Sequence, residues 1–124
     1  MAEFIYKDYE CSLKFGDNTF NLALNEQTAQ QIEDIFNSIK ITPDFQGIED
    51  IDRFYNELMD GIDTLLGDGA AENIMSRYAH PGTMEILSVI RFIVKEFDRE
   101  YAAAVEEMKK TTPANRAQRR AGRR

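Results

Sequence analysis

The stretch Ile62-Asp63-Thr64-Leu65-Leu66-Gly67-Asp68-Gly69-Ala70-Ala71-Glu72-Asn73-Ile74-Met75 joins two apolar helical patterns through a turn with little conformational freedom. Gly67 and Gly69 bracket Asp68, so one helix can end on a glycine at positive φ while Asp68 caps the next. Ile74 and Met75 give that second, short helix an apolar face. The residues specify a compact helical corner.

Upstream of the corner, Ile48, Ile51, Phe54, Tyr55, Leu58, Met59, Ile62, Leu65 and Leu66 recur at helical spacing, which predicts a helix over about 48–66. Gly61 inside it costs about 1 kcal/mol relative to alanine. An earlier helix over about 26–40 is expected from Ile32, Ile35, Phe36 and Ile39, with Asn25 or Thr28 as its cap. It ends before Pro43, which pushes Thr42 to an extended conformation. Phe45 in the connector is expected to plug into the core.

Further upstream, Cys11, Leu13 and Phe15 alternate with polar residues, as do Phe20, Leu22 and Leu24 beyond Gly16-Asp17-Asn18-Thr19. This period of two across a turn predicts a β-hairpin over about 10–24. Ile5, Tyr6 and Tyr9 either extend its first strand or add another. A hairpin alone is marginal in water, so it needs a helix against its apolar face.

Downstream, a short helix is expected over about 69–78, and Ala79-His80-Pro81-Gly82 separates it from a last helix over 83–108 with Thr83 as its cap. Ile86, Ile90, Ile93, Phe97, Tyr101, Val105 and Met108 share one face of that helix. At 1.5 Å per residue it is roughly 40 Å long, more than the diameter of a domain of this size. Either it wraps the body, or Tyr101, Val105 and Met108 meet another chain. The expected fold is therefore α+β and predominantly α-helical, one domain over 1–108 with an N-terminal hairpin on about four helices.

Net charge is −7 over 124 residues, yet this averages two unlike pieces. From Lys109 onward the chain holds Lys109, Lys110, Arg116, Arg119, Arg120, Arg123 and Arg124 with no acid, so the body carries roughly twice the net negative charge of the whole. Residues 109–124 read as a flexible basic tail. Thr112, Pro113 and the alanines Ala114, Ala117 and Ala121 would let part of it become a helix, but one too short to be stable without an acidic partner.

Chemistry is sparse. There is one His and one Cys, and an enzyme is not expected. His80 beside Pro81 reads as a capping or surface residue, and Cys11, alternating with Leu13 and Phe15, as a small buried hydrophobe. The acids Glu49, Asp50, Asp52, Glu57, Asp60, Asp63 and Asp68 lack the spacing of a calcium loop, and Gly67 and Gly69 lack the Lys and Ser/Thr of a phosphate loop. No cofactor or metal is expected. The acid-bearing N-terminus does not read as a secretory signal, and the richest apolar stretch, Ile86 to Val94, falls short of the ~20 residues that span a bilayer. A cytoplasmic protein is expected, with no membrane partner. Nucleic acid is disfavoured as one, because no aromatic residue follows Tyr101 to stack a base and the body is acidic.

The apolar-Asp pair Ile62-Asp63, the Leu65-Leu66 pair, Gly67-Asp68-Gly69, the small Ala70 and the apolar Ile74-Met75 together resemble the corner of the small tail assembly chaperones of long-tailed (siphovirus-type) phages and prophages of Gram-positive bacteria. Leu13-Lys14-Phe15-Gly16-Asp17-Asn18-Thr19-Phe20-Asn21-Leu22 is similar to the hairpin that opens many of them, and Asn115-Arg116-Ala117-Gln118-Arg119-Arg120 to their basic terminus. The resemblance implies a late phage protein that coats the long helical tape measure protein, recruits tail tube subunits to it, and leaves before the tail is complete. Self-association along that filament is a further implication. Tyr55, Met59, Tyr101, Val105 and Met108 are the candidate apolar contacts, and Arg116, Arg119 and Arg120 the candidate basic ones. Two alternatives stand beside it: a permanent phage structural or connector protein, and a small nucleic-acid-associated regulator acting through the tail.

Overall fold

A computed structural model describes residues 1–40 and 47–111 of the chain. Thr42, Pro43, Phe45 and the tail arginines Arg116, Arg119 and Arg120, with the expectations attached to them, lie outside the described residues. The architecture is α+β and mostly helical: a two-stranded antiparallel hairpin followed by four helices.

Strands β1 (Glu10–Phe15) and β2 (Asn18–Ala23) pair in the register Cys11 to Leu22 and Leu13 to Phe20. That register puts Cys11, Leu13 and Leu22 on one buried face, with Phe15, Phe20 and Leu24 partly covered beside them. Only Gly16 and Asp17 separate the strands, and Gly16 takes φ +62°, as the first position of a type II′ turn requires. The strand does not extend toward the N-terminus. Residues 1–9 have no regular structure, and the Tyr9 carbonyl accepts the Leu24 amide at 2.9 Å just beyond the last strand pair.

Helix α1 (Glu26–Lys40) opens on Asn25, whose Oδ1 accepts the Thr28 amide at 2.9 Å. Of the two possible caps, Asn25 is the one used, and Thr28 is buried inside the first turn. Ile32 and Ile35 face the core, while Phe36 sits at the edge, 38% exposed. Helix α2 (Ile48–Leu66) buries Phe54, Leu58, Ile62 and Leu65 and touches α1, α3, α4 and β2, so it is the common wall of the core. Ile48 and Ile51, at its start, are exposed. Gly61 has a packing role beyond its propensity cost: a Cβ there would come within 2.9 Å of Ile35 Cγ1, so α1 crosses α2 at this point.

The corner is built as expected from its glycines and differently from its acid. Gly67 has φ +112° and ends α2 with its amide on the Asp63 carbonyl at 2.8 Å, and Gly69 has φ +84°. Asp68 does not cap helix α3 (Ala70–Met75); the capping position is Gly69, with no side-chain bond. Instead Asp63 reaches across the corner, and its Oδ1 accepts the Ala71 amide at 2.8 Å. Asp63→Ala is therefore expected to cost about 1 kcal/mol in urea unfolding and Asp68→Ala almost nothing.

Helix α3 is shorter than its pattern implies. The amides of Arg77 and Tyr78 bond back to Ile74 and Met75 at i→i+3 spacing, a tightening that ends the helix at Met75 and not at Tyr78. Helix α4 (Thr83–Thr111) begins at the expected cap residue itself, so the cap lies one position earlier: the Gly82 carbonyl accepts the Ile86 amide at 3.0 Å, and Thr83 is already helical. It continues past Met108, so Lys109 and Lys110 form its last turn, where they oppose the negative end of the helix dipole.

Helix α4 places Ile86, Val89, Ile90, Ile93 and Phe97 in the core, against α2 and β1. The hairpin tip is held by Phe15 edge-on to Phe92 at 5.4 Å, by the Arg77 guanidinium behind Gly16, and by Asn18 Nδ2 donating to Asn73 Oδ1 at 2.7 Å.

Candidate functional site

Beyond Phe97 the core runs out before α4 does. Its 29 residues span about 43 Å, against a diameter of about 35 Å for a globular domain of this length. Tyr101 still lies on Phe97, with ring centroids 5.5 Å apart, but Val105 and Met108 are 38% and 45% exposed. The helix neither wraps the body entirely nor leaves it: its last turns run beside the open end of the hairpin.

There the Leu24 to Tyr9 backbone bond holds both strand ends close, and Tyr9 and Leu24 form one wall of a groove. Tyr101, Ala104, Val105 and Met108 form the other, lining an open groove of about 280 Å³ that Lys109 also borders. The Lys7 ammonium lies 4.8 Å from the Tyr9 ring centre, a cation–π contact that fixes this wall. Three of the candidate contacts, Tyr101, Val105 and Met108, are thus brought together. Tyr55 and Met59 are not part of this groove; both are partly buried on α2 against the core. Tyr9 and Leu24 were not among the expected contacts, since nothing short of the β1–β2 register places them beside α4.

Titratable groups do not converge here. His80 is exposed between α3 and α4, and among the described residues no group of three or more His, Cys, Asp or Glu side chains is placed to hold a metal. Glu49, Asp52, Glu57 and Asp60 are exposed on α2, and Asp50 pairs with Arg53 at 3.8 Å. Arg99 bridges Glu96 at 2.6 Å and Glu100 at 3.0 Å on the surface of α4. Among the described residues no helix is long and apolar enough to cross a membrane.

Cys11 is buried, 2% exposed. Burial pushes its thiol up, with the Glu100 and Glu96 carboxylates adding to the shift and Arg99 opposing it. The folded thiol therefore holds its proton at pH values where the unfolded one loses it. The resulting stability is complete below the unfolded pKa of about 8.5 and is lost as pH rises through the higher folded value. Urea unfolding between neutral and alkaline pH should accordingly fall more steeply for the native chain than for Cys11→Ala.

Compared with family models, with curated proteins and with solved structures, the chain finds no match.

Proposed function

We propose that the protein is a phage tail assembly chaperone: it covers apolar stripes of the tape measure protein, recruits tail tube subunits, and is absent from the mature virion. The observation that carries this reading is the groove at the end of α4, where Val105 and Met108 stay accessible beside half-buried Tyr101 on a helix that outlasts its own core. A long amphipathic helix laid along that groove would bury these side chains, and covering what is still exposed of one such residue is worth about 1 kcal/mol before association costs. Release needs only a competing surface, which the tube subunit would supply.

The resemblance at the Gly67-Asp68-Gly69 corner, at the hairpin and at the basic terminus supports the same reading. In it the protein acts in the cytoplasm of the bacterial host as a late, non-virion component. Arg116, Arg119 and Arg120 dock on an acidic neighbour and support a row of chaperones along the filament.

Immunoblots of lysate and of purified particles from phage-producing cells test the reading. The chaperone is expected in the lysate and absent from the particles. A stoichiometric signal in the particles would make it a permanent structural or connector protein.

A further inference from the structure

We propose that the groove between the hairpin tip, the turn after α3 and helix α4 binds a short segment of a different protein, one in which a carboxylate stands beside an aromatic side chain. The groove has a volume of about 330 Å³. Buried Ile74 and Val89 line it together with Phe15 and Phe92, whose rings stand edge-on. Phe92 and Tyr78 remain 39% and 38% exposed, so two large rings border one open apolar groove.

The same groove is bordered by Lys14 and Arg77, and no acid lines it. Arg77 is held in place. Its amide bonds to the Ile74 carbonyl at 3.4 Å, and its guanidinium occupies the space that a side chain at Gly16 would take. Among the described residues neither Arg77 nor Lys14 is in an ion pair. On a body that holds all 22 acids of the chain, two such cations at one groove reverse the sign of charge locally.

The surrounding charges leave that reversal in place. Glu85 Oε1 lies beside Gly82 at the start of α4, and Glu96 is bridged to Arg99. Glu10, Asp17, Glu72 and His80 are exposed and line no part of the groove. Arg91 lines a separate groove between α1 and α4.

A carboxylate accepts both bonds of a guanidinium fork, and an apolar floor takes an aromatic ring, so the two features together select neighbouring residues of one peptide. A free small molecule in an open groove would keep much of its surface in water, whereas a peptide segment does not depend on enclosure. Nucleic acid would meet the same two cations but also the negative field of the body. A second copy meets that field too, since each carries the same excess of acid. The occupant is therefore an acidic and aromatic segment of another protein. This site shares no residue with the groove at the end of α4, so it stands whether or not the chaperone reading holds.

The test is an NMR titration of the isotope-labelled full chain at about 0.15 M salt. The probe is an acetylated, amidated hexapeptide with one aspartate beside one phenylalanine among glycines and serines. Binding is expected at about 1 mM or tighter, with shifts centred on Gly16, Arg77 and Phe92. Asparagine in place of the peptide's aspartate, or glycine in place of its phenylalanine, should weaken binding at least about fivefold. Arg77→Gln should weaken it by a similar factor, and Arg77→Lys should recover only part, because lysine lacks the fork. Exposed Ser88, which lines the groove, tests the sign: Ser88→Glu should weaken binding about tenfold and Ser88→Lys strengthen it, both with the native melting temperature. Equal affinity for the aspartate and asparagine peptides, no binding up to about 10 mM, or shifts centred on the end of α4 would overturn the proposal. So would binding of phenylpropionate or of single-stranded oligothymidylate as tight as that of the peptide, or self-association of the native chain that Ser88→Glu removes.

Discussion

Ile62→Ala is expected to lower the unfolding free energy by about 3 to 4 kcal/mol, and Ile62→Asp to leave no cooperative transition, because a buried unpaired carboxylate consumes most of a total stability of about 5–15 kcal/mol. Ile62 is fully buried on α2, the helix that touches α1, α3, α4 and β2, so a cavity there loosens every layer at once. For a chain of this length the alanine change corresponds to a drop in melting temperature of about 10–15 °C, read by circular dichroism. A drop below about 3 °C would mean that the elements do not share one core through α2. The same change at half-buried Met59 should cost about 1 to 2 kcal/mol, since part of that side chain is already in water.

The second large effect falls on binding. Val105→Asp/Met108→Asp is expected to weaken tape measure capture at least about a hundredfold, because two carboxylates placed in an apolar contact must be desolvated without partners. Both side chains are partly exposed in the free protein, 38% and 45%, and lie beyond the buried core, so the melting temperature should stay close to the native value. The pairing of a large binding loss with unchanged stability is the informative outcome, and an isothermal titration beside a thermal melt reads both. Tyr55→Ala makes a useful contrast. Tyr55 packs against the core from α2, and its loss should appear in the melt more than in the titration.

Local rules account for the elements the sequence specified well. The alternation of Cys11, Leu13 and Phe15 against Phe20, Leu22 and Leu24 makes the hairpin and its inward face legible, because with a period of two a one-residue slip would turn a whole set to solvent. Asn25 was legible as a cap and Gly67 and Gly69 as positive-φ positions, since each depends on a few neighbouring residues.

The misread details depend on contacts between elements. Asp68 is adjacent to α3, yet Asp63 caps it, because the angle of the corner brings the last turn of α2 over the Ala71 amide. Helix propensity gives Gly61 only a cost, whereas its packing role comes from Ile35 on the neighbouring helix. The exposure of Phe36, Ile48 and Ile51 shows the same limit: periodicity gives the centre of an apolar stripe, while its edges depend on how wide the facing element is.

For the candidate site, the sequence indicated that α4 outruns a domain of this size, and Tyr101, Val105 and Met108 do share one groove. The other half of that groove, Tyr9 and Leu24, comes from residues remote in sequence. Tyr55 and Met59 joined the expected contacts because apolar periodicity alone does not separate a core-facing from a partner-facing position on the same helix.

Affinity capture with the tagged full chain, and with a version ending at Thr111, from cells producing the phage tests the chaperone reading most directly. Recovery of a very long, predominantly helical protein together with the tail tube subunit is the expected result, and truncation at Thr111, which removes Arg116, Arg119 and Arg120, should lower the number of chaperone copies recovered with them. Recovery of neither protein by the full chain, with the fold confirmed intact by its thermal transition, would contradict it.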